Sequence, residues 1–294
     1  MELKGCYTAI ATPFKNGEVD FKSLENLLNF QLGSKISGVV CCGSTGEASS
    51  LKEEEYLKIL KFVSHKCKNK KQVIAGFGTN STIKTLEILE KVDEINLDAL
   101  LVIVPYYNKP TQRGIFEHFK LIAEKTKHKI ILYNIPSRTG INMLPETVFE
   151  LSKIKNIIGI KEASGNLDQV SEIINLCNKS FCLLSGDDSL TLAMMSVGAK
   201  GVISVASNII PDEISTICTE FEKGNFKKSQ KLHHKYFKLI KNLFIETNPI
   251  PIKYLLKKLK IIESDELRLP LIRISKENAK KLDNLLKIVQ ETSS

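Results

Sequence analysis

Tryptophan is absent from this 294-residue chain, and only four arginines and four methionines are present. No apolar run approaches the ~18 residues that a membrane-spanning helix requires, which excludes a helical membrane protein. Residues 1–5 lack a basic stretch followed by an apolar segment, so we expect no secretory signal and a cytoplasmic location. A hydrophobic content of 43% with 26% charged residues excludes a disordered chain and is typical of a globular protein.

Recognisable metal and nucleotide motifs are also missing. The seven cysteines form no Cys-x-x-Cys pair and lie mostly in apolar segments, which predicts reduced, buried thiols. The adjacent His233 and His234 would point about 100° apart on a helix and could not chelate one metal. The Gly-x-Gly of Gly76 and Gly78 lacks the third glycine of a dinucleotide-binding turn, and no Walker A sequence occurs. These absences disfavour zinc and nucleotide cofactors.

The net charge of +9 is confined to one part of the chain. Residues 225–294 hold 16 basic and 7 acidic side chains, whereas residues 1–224 are balanced at 26 of each. The helix predicted there has an apolar stripe formed by Leu232, Tyr236, Leu239, Ile240, Leu243 and Phe244. Its other face carries Lys227, Lys228, Lys231, Lys235, Lys238 and Lys241. This pattern predicts a solvated outer surface rather than a nucleic-acid groove. A protein with such a groove would bind DNA or RNA in a salt-sensitive way.

Short apolar runs alternate with amphipathic stretches at roughly 25 to 30 residues per unit, which is typical of βα repeats. The predicted strands are Cys6–Ala11, Gly38–Cys42, Val73–Phe77, Ala99–Val104, Lys129–Tyr133, Ile157–Lys161, Cys182–Ser185 and Gly201–Val205. The predicted helices include Phe21–Leu32, Glu54–Lys66, Ile83–Ile95, Gly114–Lys125, Leu167–Cys177 and Leu190–Val197. We therefore predict an α/β fold, a (β/α)8 TIM barrel over residues 1–224 with a C-terminal helical region, residues 225–294, packed on it. A doubly wound open sheet is the alternative, but residues 12–17 lack its glycine-rich phosphate turn.

Lys161 is the unusual residue among the polar side chains that follow the predicted strands. Strand alternation places it on the face of Ile157 and Gly159, away from Ile158 and Ile160. If that face is the barrel interior, loss of hydration disfavours the ammonium and leaves an amine that can attack a ketone. The alternative is a lysine that extends from the strand end into solvent.

Other residues at the same rim could serve such an amine. Tyr133 ends the neighbouring strand, and its hydroxyl could pass protons to Ser44 and Tyr107, although an aromatic core position is the commoner role for such a tyrosine. The turn that contains Ser44 and Thr45 offers NH groups and hydroxyls to a small carboxylate. Arg138 could bind a second carboxylate, or lie at the surface.

Three acidic residues at this rim, Glu47, Asp187 and Asp188, are predicted to cap helices or order loops rather than to act on substrate.

Six segments together resemble the 4-hydroxy-tetrahydrodipicolinate synthase family, also called dihydrodipicolinate synthase. They are Gly43-Ser44-Thr45-Gly46-Glu47, Tyr106-Tyr107-Asn108-Lys109-Pro110-Thr111, Tyr133-Asn134-Ile135-Pro136-Ser137-Arg138-Thr139-Gly140, Gly159-Ile160-Lys161-Glu162-Ala163-Ser164-Gly165, Leu184-Ser185-Gly186-Asp187-Asp188 and Asn248-Pro249-Ile250-Pro251-Ile252-Lys253. The resemblance runs nearly end to end. The first segment and the Tyr-to-Lys arrangement are shared with the wider pyruvate-dependent aldolase superfamily.

The resemblance implies condensation of pyruvate with L-aspartate 4-semialdehyde in lysine and diaminopimelate biosynthesis. It assigns the pyruvate imine to Lys161 and proton transfer to Tyr133, with Ser44 and Tyr107 completing the relay. Substrate-binding residues are implied at a further set of positions, Thr45, Arg138, Ile203 and Gly186. A homotetramer of tight dimers is implied, in which Tyr107 reaches the neighbouring subunit's site. No organic cofactor, metal, nucleic-acid partner or membrane partner is expected.

Two departures from the family pattern matter. Ser44 stands where the synthase usually has a second threonine, as in the N-acetylneuraminate lyase branch, whereas Arg138 argues against a sugar-acid substrate. A pyruvate aldolase of the N-acetylneuraminate or 2-keto-3-deoxygluconate type, and a catalytically silent barrel, stay as alternatives.

The second departure concerns the positions at which some family members bind lysine as an inhibitor. Asn80 and Tyr106 match the family there, and four residues do not: Ala48, Glu53, Tyr56 and Lys84. We therefore expect weak or absent inhibition by lysine.

Overall fold

Eight parallel strands close into a barrel in the computed structural model, which describes residues 2–290 and the side chains of residues 2–286. The strands are β1 (Gly5–Ala9), β2 (Gly38–Cys41), β3 (Gln72–Phe77), β4 (Ala99–Ile103), β5 (Lys129–Asn134), β6 (Ile157–Glu162), β7 (Cys182–Ser185) and β8 (Gly201–Ser204). Each strand pairs with its neighbours in chain order, and β8 pairs with β1. This arrangement confirms the predicted TIM barrel and excludes the open sheet.

Helices lie outside the barrel, where the first eight connect the strands and the last four follow the final strand. Their bounds are α1 (Phe21–Leu32), α2 (Glu53–Cys67), α3 (Thr82–Val92), α4 (Gln112–Lys125), α5 (Pro136–Thr139), α6 (Pro145–Ser152), α7 (Leu167–Leu176), α8 (Thr191–Ser196), α9 (Pro211–Glu222), α10 (Phe226–Asn242), α11 (Ile250–Lys258) and α12 (Lys276–Gln290). Several begin at side chains that accept a hydrogen bond from the first-turn backbone: Asp20 from Ser23 N at 3.0 Å and Asn166 from Asp168 N at 2.9 Å. The predicted helices are confirmed to within a few residues at their ends.

The strands are apolar on both faces, as expected where helices cover the outside of a parallel sheet and side chains fill the inside. The larger core cluster lies between strands and helices, and a smaller one fills the barrel interior. The interior cluster consists of Leu3, Tyr7, Ala9, Val40, Ile74, Ala99, Leu101, Ile131, Tyr133, Cys182, Leu184 and Ile203.

The prediction that Ile157 shares a face with Lys161 is wrong. Ile130 pairs with Ile157 but Ile131 pairs with Gly159, so the register skips Ile158. Because one extra residue reverses the facing of a strand, Ile157 joins the outer core while Ile158 packs against the interior cluster. The irregularity ends before Lys161, which keeps its predicted inward direction.

The C-terminal part of the chain carries the lysine-rich face that the sequence predicts. On α10, Tyr236, Leu239 and Ile240 are buried, as is Leu243 at its end, and the lysines of that helix are exposed. The prediction for Phe244 is wrong, because it lies beyond the last residue of α10 and is 46% exposed. The helical periodicity no longer applies once the chain leaves the helix.

The division into a barrel (1–224) and a C-terminal region (225–294) stays a proposal, and residues 1 and 291–294 of it lie outside the described residues. The turn between α9 and α10 is the place where the boundary would fall. None of the helices between residues 2 and 290 combines the length and apolar character that crossing a bilayer requires.

Candidate active site

Lys161 and Tyr133 lie side by side at the carboxyl ends of β6 and β5. The two residues are register partners, and the Lys161 Nζ lies 4.4 Å from the centroid of the Tyr133 ring. Lys161 is 7% exposed and Tyr133 is 6% exposed. Within the described part of the chain, no carboxylate forms an ion pair with Lys161. Burying an ammonium without an anionic partner is unfavourable, so this amine is in an environment suited to nucleophilic chemistry.

Gly186 lies beside the same lysine, and Ile203 belongs to the interior cluster that contains Tyr133. A Cβ on Gly186 would lie 3.1 Å from Lys161 Cε and 2.6 Å from Ala163 Cβ, so a larger residue there would displace the lysine. The Gly186 N–H donates to the Glu162 carbonyl at 2.8 Å, which fixes the loop against β6. Ile203 on β8 is 1% exposed and belongs to the interior cluster with Tyr133. The structure thus brings four predicted site residues to one end of the barrel interior.

A second group of predicted residues is joined by Asn248, from the C-terminal part of the chain. Its side-chain Nδ2 donates to Thr45 Oγ1 at 3.0 Å, and its carbonyl oxygen accepts from an Arg138 guanidinium nitrogen at 3.0 Å. Thr45 is 3% exposed and lies in the turn that the Gly46 N–H closes onto the Gly43 carbonyl at 3.0 Å. The role of Asn248 has no signal in the local sequence, because its contact with Thr45 spans 203 residues.

The predicted proton relay is not assembled within one chain. Ser44 is half-buried, whereas Tyr107 is 87% exposed and has a left-handed φ of 75°. The Tyr107 N–H donates to the Thr139 carbonyl at 3.2 Å. No hydrogen bond between residues 2 and 290 joins the hydroxyls of Ser44, Tyr107 and Tyr133. The relay therefore stays a prediction.

The acidic residues near the rim make structural contacts, and for Glu47 the contact is a buried ion pair that the sequence does not predict. Glu47 forms a 2.7 Å ion pair with Lys253, and both side chains are fully buried. Asp187 accepts a hydrogen bond from the Ser189 N–H at 2.9 Å and so caps a short turn. Asp188 accepts from the Val205 N–H at 2.8 Å and orders the turn after β8, while its burial raises the pKa of its carboxyl.

The cysteines and histidines offer no alternative chemistry. All seven cysteines are free, and burial raises the pKa of Cys67, Cys182 and Cys218 to about 12, which disfavours thiolates. Among the described residues, no group of three or more His, Cys, Asp or Glu side chains could hold a metal ion.

The structure combines a closed (β/α)8 barrel with a buried lysine that lies beside a tyrosine at the carboxyl ends of the strands. This lysine has no carboxylate partner in the described residues. The combination defines the class of imine-forming lyases. The chain belongs to the dihydrodipicolinate synthetase family, whose match spans residues 2–289. A relative from Persephonella marina, named 4-hydroxy-tetrahydrodipicolinate synthase, is 48% identical over 286 residues, which cover 97% of this chain and 98% of the relative.

Solved structures give the same result. The crystal structure of dihydrodipicolinate synthase from Aquifex aeolicus is 44% identical with a TM-score of 0.95, covering 97% of both chains. The Cyanidioschyzon merolae enzyme, crystallised with lysine bound, is 38% identical with a TM-score of 0.95 over 98% of both chains. These similarities confirm the predicted activity, 4-hydroxy-tetrahydrodipicolinate synthase, and the predicted enzyme class, a lyase of lysine and diaminopimelate biosynthesis. They do not favour the sugar-acid aldolases.

Proposed function

We propose that this chain condenses pyruvate with L-aspartate 4-semialdehyde through an imine on Lys161. The observation that carries the proposal is the buried Lys161 amine, 4.4 Å from the Tyr133 ring centroid and without a carboxylate partner in the described residues. The neutral amine attacks the keto carbon of pyruvate, and the resulting carbinolamine loses water to give the imine. Loss of a methyl proton then forms an enamine, whose carbon attacks the aldehyde carbon of the second substrate.

The surrounding residues have roles in this proposal that follow their chemistry. Tyr133 carries protons to and from the carbinolamine, since a phenol both donates and accepts hydrogen bonds. Thr45, Gly186 and the backbone around Ile203 hold pyruvate. Arg138 binds the carboxylate of the semialdehyde as a planar, two-pronged donor. Neither a metal nor an organic cofactor has a role in these steps.

Trapping with borohydride tests the imine directly. Reduction in the presence of pyruvate should add a pyruvyl mass to the peptide that contains Lys161, and the Lys161→Ala variant should gain none. Steady-state kinetics should favour aspartate 4-semialdehyde over N-acetylneuraminate and 2-keto-3-deoxygluconate. An unmodified Lys161, or a preference for either sugar acid, would contradict the proposal.

We also propose that the chain acts in the cytoplasm as a homotetramer, in which Tyr107 completes the relay with Ser44 in a neighbouring copy. The exposure of Tyr107, 87% in one chain, supports a role outside its own barrel. Mixing Lys161→Ala and Tyr107→Phe proteins tests this: each lacks activity alone, and hybrid oligomers should regain part of it if Tyr107 acts on the neighbour. Sedimentation should show a tetramer, and a monomer with full activity would overturn the assignment.

A further inference from the structure

We propose that Asn248 is a positioning residue that fixes the Thr45 hydroxyl as a hydrogen-bond donor toward the pyruvate carboxylate. The inference rests on the proposed function, because it assumes that pyruvate binds at Thr45. Asn248 is the first residue of the Asn248–Lys253 segment, and no residue of this segment has a role in the proposed reaction steps. Its side chain is nevertheless buried, at 5% exposure, and it contacts two of the predicted substrate-binding residues.

The direction of the hydrogen bond decides what Thr45 can do. A threonine hydroxyl has one proton to donate and two lone pairs that accept. Because Asn248 Nδ2 donates to Thr45 Oγ1 at 3.0 Å, a lone pair is occupied and the proton is free to point elsewhere. No hydrogen bond between residues 2 and 290 uses that proton. A carboxylate bound beside the turn is an acceptor that would use it.

One half of the Asn248 amide has no partner among the described residues, and turning the amide over would leave its nitrogen in that place instead. Asn248 Oδ1 is buried and has no hydrogen-bond partner among the described residues. A buried acceptor left unsatisfied is unfavourable by about 1–3 kcal/mol, and such groups in folded proteins call for an explanation. The reversed amide would let Oδ1 accept the Thr45 proton, but that would remove the donor that a carboxylate requires.

Two further contacts hold this pair in place. The Asn248 carbonyl accepts from Arg138 at 3.0 Å, so the backbone of the same residue orients the second carboxylate-binding group. Five residues later, Lys253 forms a buried 2.7 Å ion pair with Glu47, which follows Thr45 by two residues. Both sides of the Asn248–Thr45 hydrogen bond are therefore anchored nearby. Since Arg138 uses the Asn248 backbone and Thr45 uses its side chain, substitution can separate the two effects.

The Asn248→Asp variant reverses the hydrogen bond while nearly preserving shape. The introduced carboxylate only accepts, so it would take the Thr45 proton and repel the pyruvate carboxylate. We expect the KM for pyruvate to rise roughly tenfold or more, and the KM for the semialdehyde to change by less than about threefold. In a Thr45→Val background, Asn248→Asp should raise the pyruvate KM by a smaller factor, because the charge repulsion remains but no hydroxyl is left to orient.

The control is Asn242→Asp, which makes the same charge change on α10, where the Asn242 side chain donates to the Lys238 carbonyl at 2.7 Å. This variant should keep the wild-type KM for pyruvate. Asn248→Ala, which adds no charge, is the second variant: it should raise the pyruvate KM by a smaller factor, again only when Thr45 is present. Equal effects of Asn248→Ala with and without the Thr45 hydroxyl would show a merely structural role and overturn the inference.

Borohydride trapping separates the possible failures. If wild-type protein forms the pyruvyl adduct on Lys161, and Asn248→Asp reaches the same adduct level only at higher pyruvate concentration, the inference is supported. If wild-type and variant show the same dependence on pyruvate concentration, the inference is wrong and the proposed function stands. If the wild-type protein forms no adduct, the proposed function itself fails.

Discussion

Two buried lysines, Lys161 at the barrel mouth and Lys253 on α11, lie against aromatic rings in similar ways but differ in their partners. Lys253 Nζ lies 4.3 Å from the Phe14 ring centroid, and Lys161 Nζ lies 4.4 Å from that of Tyr133. Lys253 is paired with Glu47 at 2.7 Å, whereas Lys161 has no carboxylate partner in the described residues. Burial lowers the pKa of Lys253, although Glu47 acts in the opposite direction.

The difference shows that burial alone does not make a lysine a nucleophile. Glu47 provides Lys253 with a matching charge and a hydrogen bond, so this lysine joins the C-terminal part of the chain to the turn that holds Thr45. Lys161 contacts the π face of Tyr133 and has no carboxylate partner in the described residues, so no ion pair holds its amine away from a ketone. The ion-pair partner in the folded chain, Glu47 for Lys253 and none in the described residues for Lys161, distinguishes the two lysines.

Replacing each lysine by methionine tests most directly whether the two buried lysines have different roles. Lys161→Met should lower turnover by roughly three orders of magnitude or more, because the atom that forms the imine is gone. Its free energy of unfolding should stay the same or rise, since a buried amine without an anionic partner is replaced by an apolar side chain. Kinetics and denaturant unfolding measure the two effects, and substantial residual turnover would remove Lys161 from the mechanism.

The same substitution at Lys253 should act on stability. Lys253→Met leaves Glu47 buried without its cation, which should lower the free energy of unfolding by about 3–5 kcal/mol. Adding Glu47→Gln removes the unpaired charge and should restore part of that loss. Denaturant unfolding measures both, with the exposed Lys238→Met on α10 as a control expected within about 0.5 kcal/mol of wild type. A neutral effect of Lys253→Met would show that the pair does not hold the two parts together.

His118 on α4 extends the comparison to a third buried base, which like Lys161 has no acidic partner in the described residues. It is 4% exposed, its Nδ1 lies 2.8 Å from Thr82 Oγ1, and its Nε2 has no partner within the described residues. Burial lowers the pKa of His118 from 6.5 to about 4. The unfolded chain therefore takes up a proton first as the pH falls from 6.5 toward 4, and stability is lost over that range, by about 3 kcal/mol in total.

The His118→Gln variant should remove this contribution. Its free energy of unfolding, measured by denaturant titration from pH 7 to pH 4, should fall less steeply with acidification than that of wild type. His65→Gln, at an exposed position on α2, is the matched control and should keep the wild-type slope. Parallel slopes for wild type and His118→Gln would show that His118 does not stay neutral in the folded protein.

Features of the fold and the site can be predicted from the sequence when the residues that form them lie close together along the chain. The eight strands and the inward direction of Lys161 follow from local apolar runs and alternation. The skipped residue Ile158 breaks that alternation without any local mark. The Glu47–Lys253 pair spans 206 residues, so only folding brings it together. The resemblance predicts Tyr107 in the relay, but this residue is 87% exposed in a single chain, and its contact with a neighbouring copy stays a proposal.

An exposed lysine gives the smallest expected effect. Lys84, in the first turn of α3, is solvent-exposed, and the resemblance places it where a carboxylate would meet the ammonium of bound lysine. A like charge there opposes binding by about 1 kcal/mol near a solvated surface. Tyr56, another departure from the family's lysine-binding positions, donates its hydroxyl to the Gly76 carbonyl at 2.9 Å. Millimolar lysine should therefore change turnover by less than about twofold. A lysine-sensitive relative is the positive control, and strong inhibition at sub-millimolar lysine would show that Lys84 does not repel the inhibitor.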